Sequence, residues 1–206
     1  YFKMNQKKVL KQLNFMKKNS SKMRLAAEKW RSEWQILISI ILSARTRDEK
    51  TIPVSKELFK KYSSPKRLAD AKLKDVEKII KPINFYRNKS KYIINCSKEI
   101  IKDYHGKVPN KIEELIKLPG VGRKTSNVFI SEVGGDGIGV DTHVSYISQK
   151  LNWTKNKKPE KIEEDLKELF SKKYWNKVNS TLVRFGKTYT SKKKKDELIE
   201  EIKKIK

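Results

Sequence analysis

Apolar residues in this 206-residue chain recur at three- and four-residue spacing and almost never alternate. Such spacing builds one apolar stripe along a helix and gives a strand no buried face, so it commits the chain to an all-α fold. Val9, Leu10, Leu13 and Met16 form a first stripe. Trp34, Leu37, Ile38 and Ile41 form a second, in a helix ending near Ser43, and Val54, Leu58, Phe59 and Tyr62 a third, closed by Ser63-Ser64-Pro65. Short helices are expected at about 66–71 and 73–80, the latter stopped by Pro82. Asn84-Phe85-Tyr86-Arg87-Asn88 reads as a polar-aromatic turn before a helix that runs to Tyr104 and ends at His105-Gly106. Ile112, Leu115 and Ile116 mark a short helix ended by Pro119-Gly120, and Val128, Phe129 and Val133 mark one closing at Gly134-Gly135. Asp141 or Thr142 caps a helix carrying Val144, Ile147 and Leu151. Helices at about 159–173 and 175–185 follow, with Gly186 as a stop signal, and Leu198, Ile199 and Ile202 keep helical spacing in the lysine-rich end.

Composition narrows the function classes. Fifty Lys and Arg against 24 Asp and Glu give a formal net charge of +26, which asks for a polyanionic partner. Membrane surface, ribosomal RNA and DNA all satisfy that demand, and a lysine-biased composition is the bland alternative. Residues 1–31 alone carry net +9, yet their apolar stripe makes them a docked basic helix rather than a free tail. A single cysteine, Cys96, rules out a disulfide scaffold within one chain. The longest apolar stretch, Ile36 to Leu42, is broken by Ser39 and falls far short of the ~20 residues of a membrane span. Tyr1-Phe2-Lys3-Met4 lacks the apolar core of a signal peptide, so a reducing, cytoplasmic setting is the expectation.

Chemistry concentrates at Leu118-Pro119-Gly120-Val121-Gly122-Arg123-Lys124-Thr125. Glycines two apart let the backbone turn sharply and approach another molecule without a Cβ in the way. The opening amides of the following helix lack intrahelical acceptors and sit at the positive end of its dipole, which makes an anion site. With +26 overall, nucleic-acid phosphate is the expected anion. Lys124 stands in the first turn, where the dipole disfavours a second positive charge; with partial burial, an amine relieved of its proton there is a nucleophile. The plain alternative is a phosphate contact. Asp141 opens the next helix in Val140-Asp141-Thr142-His143-Val144. It reads as an N-cap, or as a carboxylate that serves as general base or steadies a cation beside Lys124. His143 reads as structural or phosphate-contacting, and Cys96 as core packing.

Leu118-Pro-Gly-Val-Gly-Arg-Lys-Thr, followed seventeen residues after Lys124 by Val140-Asp-Thr-His, closely resembles the helix-hairpin-helix (HhH-GPD) DNA glycosylases, and within them endonuclease III. The resemblance extends to Ile41-Leu-Ser-Ala-Arg-Thr-Arg-Asp48 and Phe85-Tyr86-Arg87-Asn88-Lys89, and covers about residues 30–190. It implies a two-domain all-α fold with DNA in the cleft: a six-helix barrel over 28–135, and a second helical domain from 1–27 and 136–206. It implies duplex DNA carrying a damaged pyrimidine or abasic site as partner, with the base flipped out because C1′ cannot be reached inside a stack. Lys124 matches the residue that attacks C1′, displacing the base to form an imine that permits β-elimination. Asp141 matches the carboxylate that assists it. Gly120, Val121 and Gly122 match the phosphate-holding hairpin, flanked by Leu118, Thr125, His143 and Lys89 as further DNA contacts. Arg45 matches the residue that fills the gap left by the flipped base, and Phe85 the opposite wedge, with a plain core role as the alternative for Phe85.

One departure stands out. Endonuclease III usually carries four closely spaced C-terminal cysteines that bind a [4Fe–4S] cluster, and this chain has no cysteine after Cys96. Thr190 stands where the first ligand is expected, so no cluster, no metal and no other cofactor is expected, and a helical tail at 191–206 takes the cluster's place as a clamp. The expectation is a monomer without membrane attachment, cytoplasmic and nucleoid-associated. A mismatch or uracil glycosylase of the same superfamily, or a non-catalytic DNA-binding hairpin protein, are the competing readings. Retention of both Lys124 and Asp141 speaks against the last.

Overall fold

The computed structural model describes residues 5–205; Lys3, part of the basic arm, and the other residues of 1–4 lie outside the described residues. The helices are α1 (Gln6–Lys18), α2 (Glu33–Ser43), α3 (Asp48–Lys61), α4 (Pro65–Ala69), α5 (Leu73–Ile80), α6 (Tyr86–Tyr104), α7 (Ile112–Leu115), α8 (Arg123–Glu132), α9 (Thr142–Lys150), α10 (Pro159–Leu169), α11 (Trp175–Thr188) and α12 (Lys192–Lys203). No strand occurs among the described residues. The chain divides into two compact units, Arg24–Val133 and the pairing of Tyr1–Met23 with Gly134–Lys206. These boundaries differ by a few residues from the 28 and 135 expected from sequence.

In the Arg24–Val133 unit, α2 is buried almost all round and packs against α3, α6 and α8. Leu37, Ile38 and Leu42 are wholly enclosed among Leu58, Ile80, Ile93 and Phe129. Each such side chain contributes roughly 1.5–3 kcal/mol by leaving water. The helix starts where Ser32 caps it by accepting from the Gln35 amide. Trp34 Nε1 donates to Ser97 Oγ at 3.1 Å, which satisfies an indole that would otherwise be buried with an orphan donor. Cys96 lies in this same core, and burial, then the nearby Glu99 charge, pushes its thiol up to about 12.

The other unit ties both ends of the chain together. The α1 stripe of Val9, Leu13 and Met16 is buried, and α1 packs against α11 and α12. Gln12, also buried, donates to the Ile202 carbonyl at 3.0 Å and accepts from Trp153 Nε1 at 2.8 Å. On α12, Ile199 and Ile202 are enclosed, and Asp196 accepts from the Tyr146 hydroxyl and pairs with Lys150 at 3.3 Å. Burial first, and the Asp196 contact second, push the Tyr146 phenol up to about 12. The hydrogen bond from Tyr146 holds the Asp196 carboxyl below its ordinary range.

Four sequence expectations are corrected here. Tyr86, Arg87 and Asn88 belong to α6 rather than to a turn, and Phe85 is its N-cap. The helix expected over 159–173 ends at Leu169, and a short 3-10 turn, Lys172–Tyr174, leads into α11. Val133 is the C-cap of α8 rather than part of it. Gly186 does not stop α11, which continues to Thr188. A Cβ at Gly186 would stand 2.3 Å from His143 Nδ1, so this glycine makes room for an imidazole instead of ending a helix.

Candidate functional site

The hairpin is built from the core outward. Leu118 and Val121 are buried, and the Val121 amide bonds the Leu118 carbonyl at 3.0 Å, which folds the turn back on itself. Any contact these two make with DNA is therefore through their backbone. Gly120 has φ +78°, the left-handed region that glycine enters without Cβ strain. Its bare Cα also lies against Tyr92, whose Cβ would be 2.8 Å from a Cβ placed there. Gly122 is the N-cap of α8 and supplies no side-chain cap. Arg123, Lys124 and Thr125 follow as the first turn, whose amides have no acceptor within the helix.

Lys124 is exposed, where the sequence suggested partial burial. Among the described residues no carboxylate pairs with its ammonium.

Asp141, not Thr142, is the N-cap of α9: Oδ1 accepts from the Val144 amide at 2.9 Å. One oxygen fixes the carboxylate and leaves Oδ2 outside the cap, so capping and chemistry are compatible in one residue. The run before it is held where Asn179 Nδ2 donates to the Gly139 carbonyl at 2.6 Å. His143, half-buried, rests against Gly186 of α11 and sets the start of α9 on that helix.

Arg45, Phe85, Lys89 and Gly120 all line one hollow of about 280 Å³, with Ile41, Ala44, Asn88 and Tyr92. Phe85 is 58 % exposed, which removes the core reading of this residue. Tyr92, 44 % exposed, faces the same space. Arg45 (φ 54°) and Phe85 (φ 60°) both adopt the left-handed conformation, which costs a non-glycine residue roughly 1–3 kcal/mol and clusters at functional sites. The Arg45 guanidinium lies 5.7 Å from the centre of the Phe85 ring.

Lys89 departs from its expected part as a DNA contact. Its side chain is 5 % exposed, and Nζ donates to the carbonyls of Leu42 (2.7 Å) and Ala44 (2.6 Å). Burial lowers its ammonium to about 8. Asn84 and Asn88 stood in the sequence only as residues of a turn and a matched motif, with no role at the site, and Tyr92 carried no signal of its own. Phe85, Asn88, Lys89 and Tyr92 share i, i+3, i+4, i+7 spacing, a signal of one helix face that was masked by reading 84–88 as a turn.

Residues 38–172 match the model of the HhH-GPD superfamily base excision DNA repair proteins. The chain belongs to this superfamily. Endonuclease III of Thermotoga maritima is 45% identical over 156 residues, which is 75% of this chain and 73% of that protein. Endonuclease III of Bacillus subtilis is 39% identical, covering 75% of this chain and 71% of its own length. Among solved structures, an endonuclease III trapped as a covalent intermediate with DNA, in an estranged-adenine complex, superposes with a TM-score of 0.80. Its identity is 31%, and the match covers 91% of this chain and 89% of that one. A thermostable thymine-DNA glycosylase shares the fold at TM-score 0.80 and 20% identity. The HhH-GPD chain described here is an enzyme of base excision repair, a DNA glycosylase and AP lyase of the endonuclease III type. Among its described residues no helix is long and apolar enough to cross a membrane.

Proposed function

We propose that this glycosylase removes oxidised pyrimidines from duplex DNA through Lys124 and Asp141, and then cleaves the abasic strand. The Lys124 amine forms a bond to C1′ while the glycosidic bond breaks, its electron pair leaving with the base, which takes up a proton. Asp141 accepts the proton that Nζ loses and steadies positive charge on the sugar. Ring opening gives the imine, loss of a C2′ proton follows, and the 3′ phosphate departs. Phosphate approaches the bare turn at Gly120 and Gly122 and the opening amides of α8. The observation that carries this reading is an exposed lysine, unpaired among the described residues, in a first turn without a side-chain cap directly behind a Gly-Val-Gly bend. Borohydride trapping on an abasic duplex tests it, since only an imine-forming enzyme is captured. A panel of duplexes each bearing thymine glycol, 5-hydroxycytosine, uracil or an abasic site tests the base preference. Equal or faster excision of uracil from a mismatch overturns the oxidised-pyrimidine reading.

The enzyme is further proposed to act as a monomer, at the nucleoid, without an iron–sulfur cluster. The family's cluster needs four ligands, usually thiolates, and this chain offers one cysteine, enclosed in the core of the Arg24–Val133 unit. The residues present do not fit such a group. Helix α12, fixed by Ile199, Ile202, the Asp196 contacts and the Gln12 bond to Ile202, supports a metal-free brace in its stead. Stoichiometric iron, or broad absorption near ~400 nm in pure protein, counts against it.

A further inference from the structure

Among the described residues, Lys89 is the lysine whose side chain is buried, and the chemistry proposed above does not use it. It reaches from the first turn of α6 to the end of α2. There its ammonium donates to the carbonyls of Leu42 and Ala44, and to Thr46 Oγ1 at 3.4 Å. The last carbonyls of a helix lack intrahelical donors and sit at the negative end of its dipole, so a cation is well placed among them. Asn84 works from the same side. Its amide donates to Thr46 Oγ1 at 3.2 Å, and its Nδ2 donates to the Arg45 carbonyl. These bonds stitch the turn after α2 to the entry of α6.

What they stitch are the two left-handed residues that face each other, Arg45 and Phe85. A disfavoured backbone conformation persists only where its surroundings over-determine it. At Arg45 the carbonyl is bonded by Asn84, and the neighbouring Ala44 carbonyl by Lys89. Phe85 sits directly between Asn84 and the first turn of α6, and its own carbonyl accepts from the Lys89 amide at 3.0 Å. Lys89 thus grips both sides, by its backbone at Phe85 and by its ammonium around Arg45.

We infer that Lys89 and Asn84 are positioning residues that hold Arg45 and Phe85 together as one preformed probe for the DNA stack, and that Lys89 itself does not touch DNA. This rests on the reading of Arg45 and Phe85 as the groups that enter the duplex. Left unstitched, both turns relax from the left-handed region, and the guanidinium and ring no longer enter the stack as a pair. Opening the duplex then becomes the slow part of the reaction, while chemistry at an already exposed sugar is spared.

The test is a ratio. Single-turnover base excision is measured on a duplex with one oxidised pyrimidine beside 2-aminopurine. Borohydride trapping is measured on a single-stranded abasic oligonucleotide, which needs no unstacking. Lys89→Met keeps the length and apolar bulk of the side chain and removes its donors. The duplex-to-single-strand ratio should fall by about ten-fold or more, the scale set by small misplacements of a positioning group. The 2-aminopurine fluorescence rise at saturating protein should shrink in parallel. Asn84→Ala, at an exposed position, should move the ratio the same way. It decides the matter alone if Lys89→Met does not fold. If both rates drop together and the ratio holds, Lys89 and Asn84 merely support the fold and the inference is overturned. If Arg45→Ala and Phe85→Ala also leave the ratio at the wild-type value, the probe reading itself fails and takes the inference with it.

Discussion

Two helix starts carry the chemistry proposed for this enzyme, and they are built in opposite ways. Helix α8 opens behind Gly122, which has no side chain to cap with, and presents Lys124 to solvent. Helix α9 opens behind Asp141, whose carboxylate already satisfies the Val144 amide. Both starts have the same orphan amides and the same dipole. The first leaves them for an outside anion and accepts an unfavourable cation. The second fills them from within and thereby fixes a carboxylate by one oxygen. An uncapped start offers its amides to a ligand; a capped start aims its cap.

The sharpest way to break this comparison is to remove the cation. Lys124→Gln should abolish borohydride trapping entirely while changing DNA affinity by only a few fold, since one of fifty basic residues is lost. Full trapping by that variant would move the nucleophile elsewhere. Next in size is Asp141→Asn, which keeps a cap of about equal quality. Base excision should fall by ~10²-fold or more, the range of acid–base contributions, with thermal stability nearly unchanged. Excision at the wild-type rate would reduce Asp141 to a cap.

Gly122→Asp gives α8 the pattern of α9 and so sharpens the contrast. The new cap should stabilise the protein by about 0.5–1 kcal/mol, and its charge should turn phosphate away, weakening duplex affinity by about ten-fold. Tighter binding in a fluorescence titration would contradict a phosphate site at this helix start. Gly186→Ala tests how the start of α9 is supported. The added methyl meets the His143 ring, so unfolding experiments should show a loss of roughly 1–3 kcal/mol. The double variant with His143→Ala should recover much of it.

The smallest effect concerns a third helix end, the C-terminus of α2, where Lys89 is lodged. Its folded ammonium titrates near 8 against an ordinary 10.5, because burial disfavours the charge. Between those values the unfolded chain holds more protons than the folded one, so stability rises with pH across that window and the penalty is constant below it. Denaturant midpoints of wild type, measured against Lys89→Met, should therefore improve from pH 8 to pH 10 and stay parallel from pH 6 to pH 7.5.

Much of this molecule is written in local pattern. The 3.6-residue spacing located the helices, because a stripe such as Trp34, Leu37, Ile38 and Ile41 has only one way to leave water. Motif spacing likewise drew attention to the Gly-Val-Gly bend, Lys124 and Asp141, since helix starts depend on residues three or four positions apart. Other features hang on partners far along the chain. Lys89 matched a DNA contact in the motif, and its acceptors lie 45 and 47 residues away along the chain. Gly186 looked like a helix stop until His143 filled the space beside it. Tyr92 carries no signal of its own within α6, and gains its place only where Gly120 closes against it and Phe85 turns outward. A sequence states what each residue prefers within its own turn of chain. Which side chain takes up another's carbonyl, or the space left by a missing Cβ, is settled only when distant segments pack.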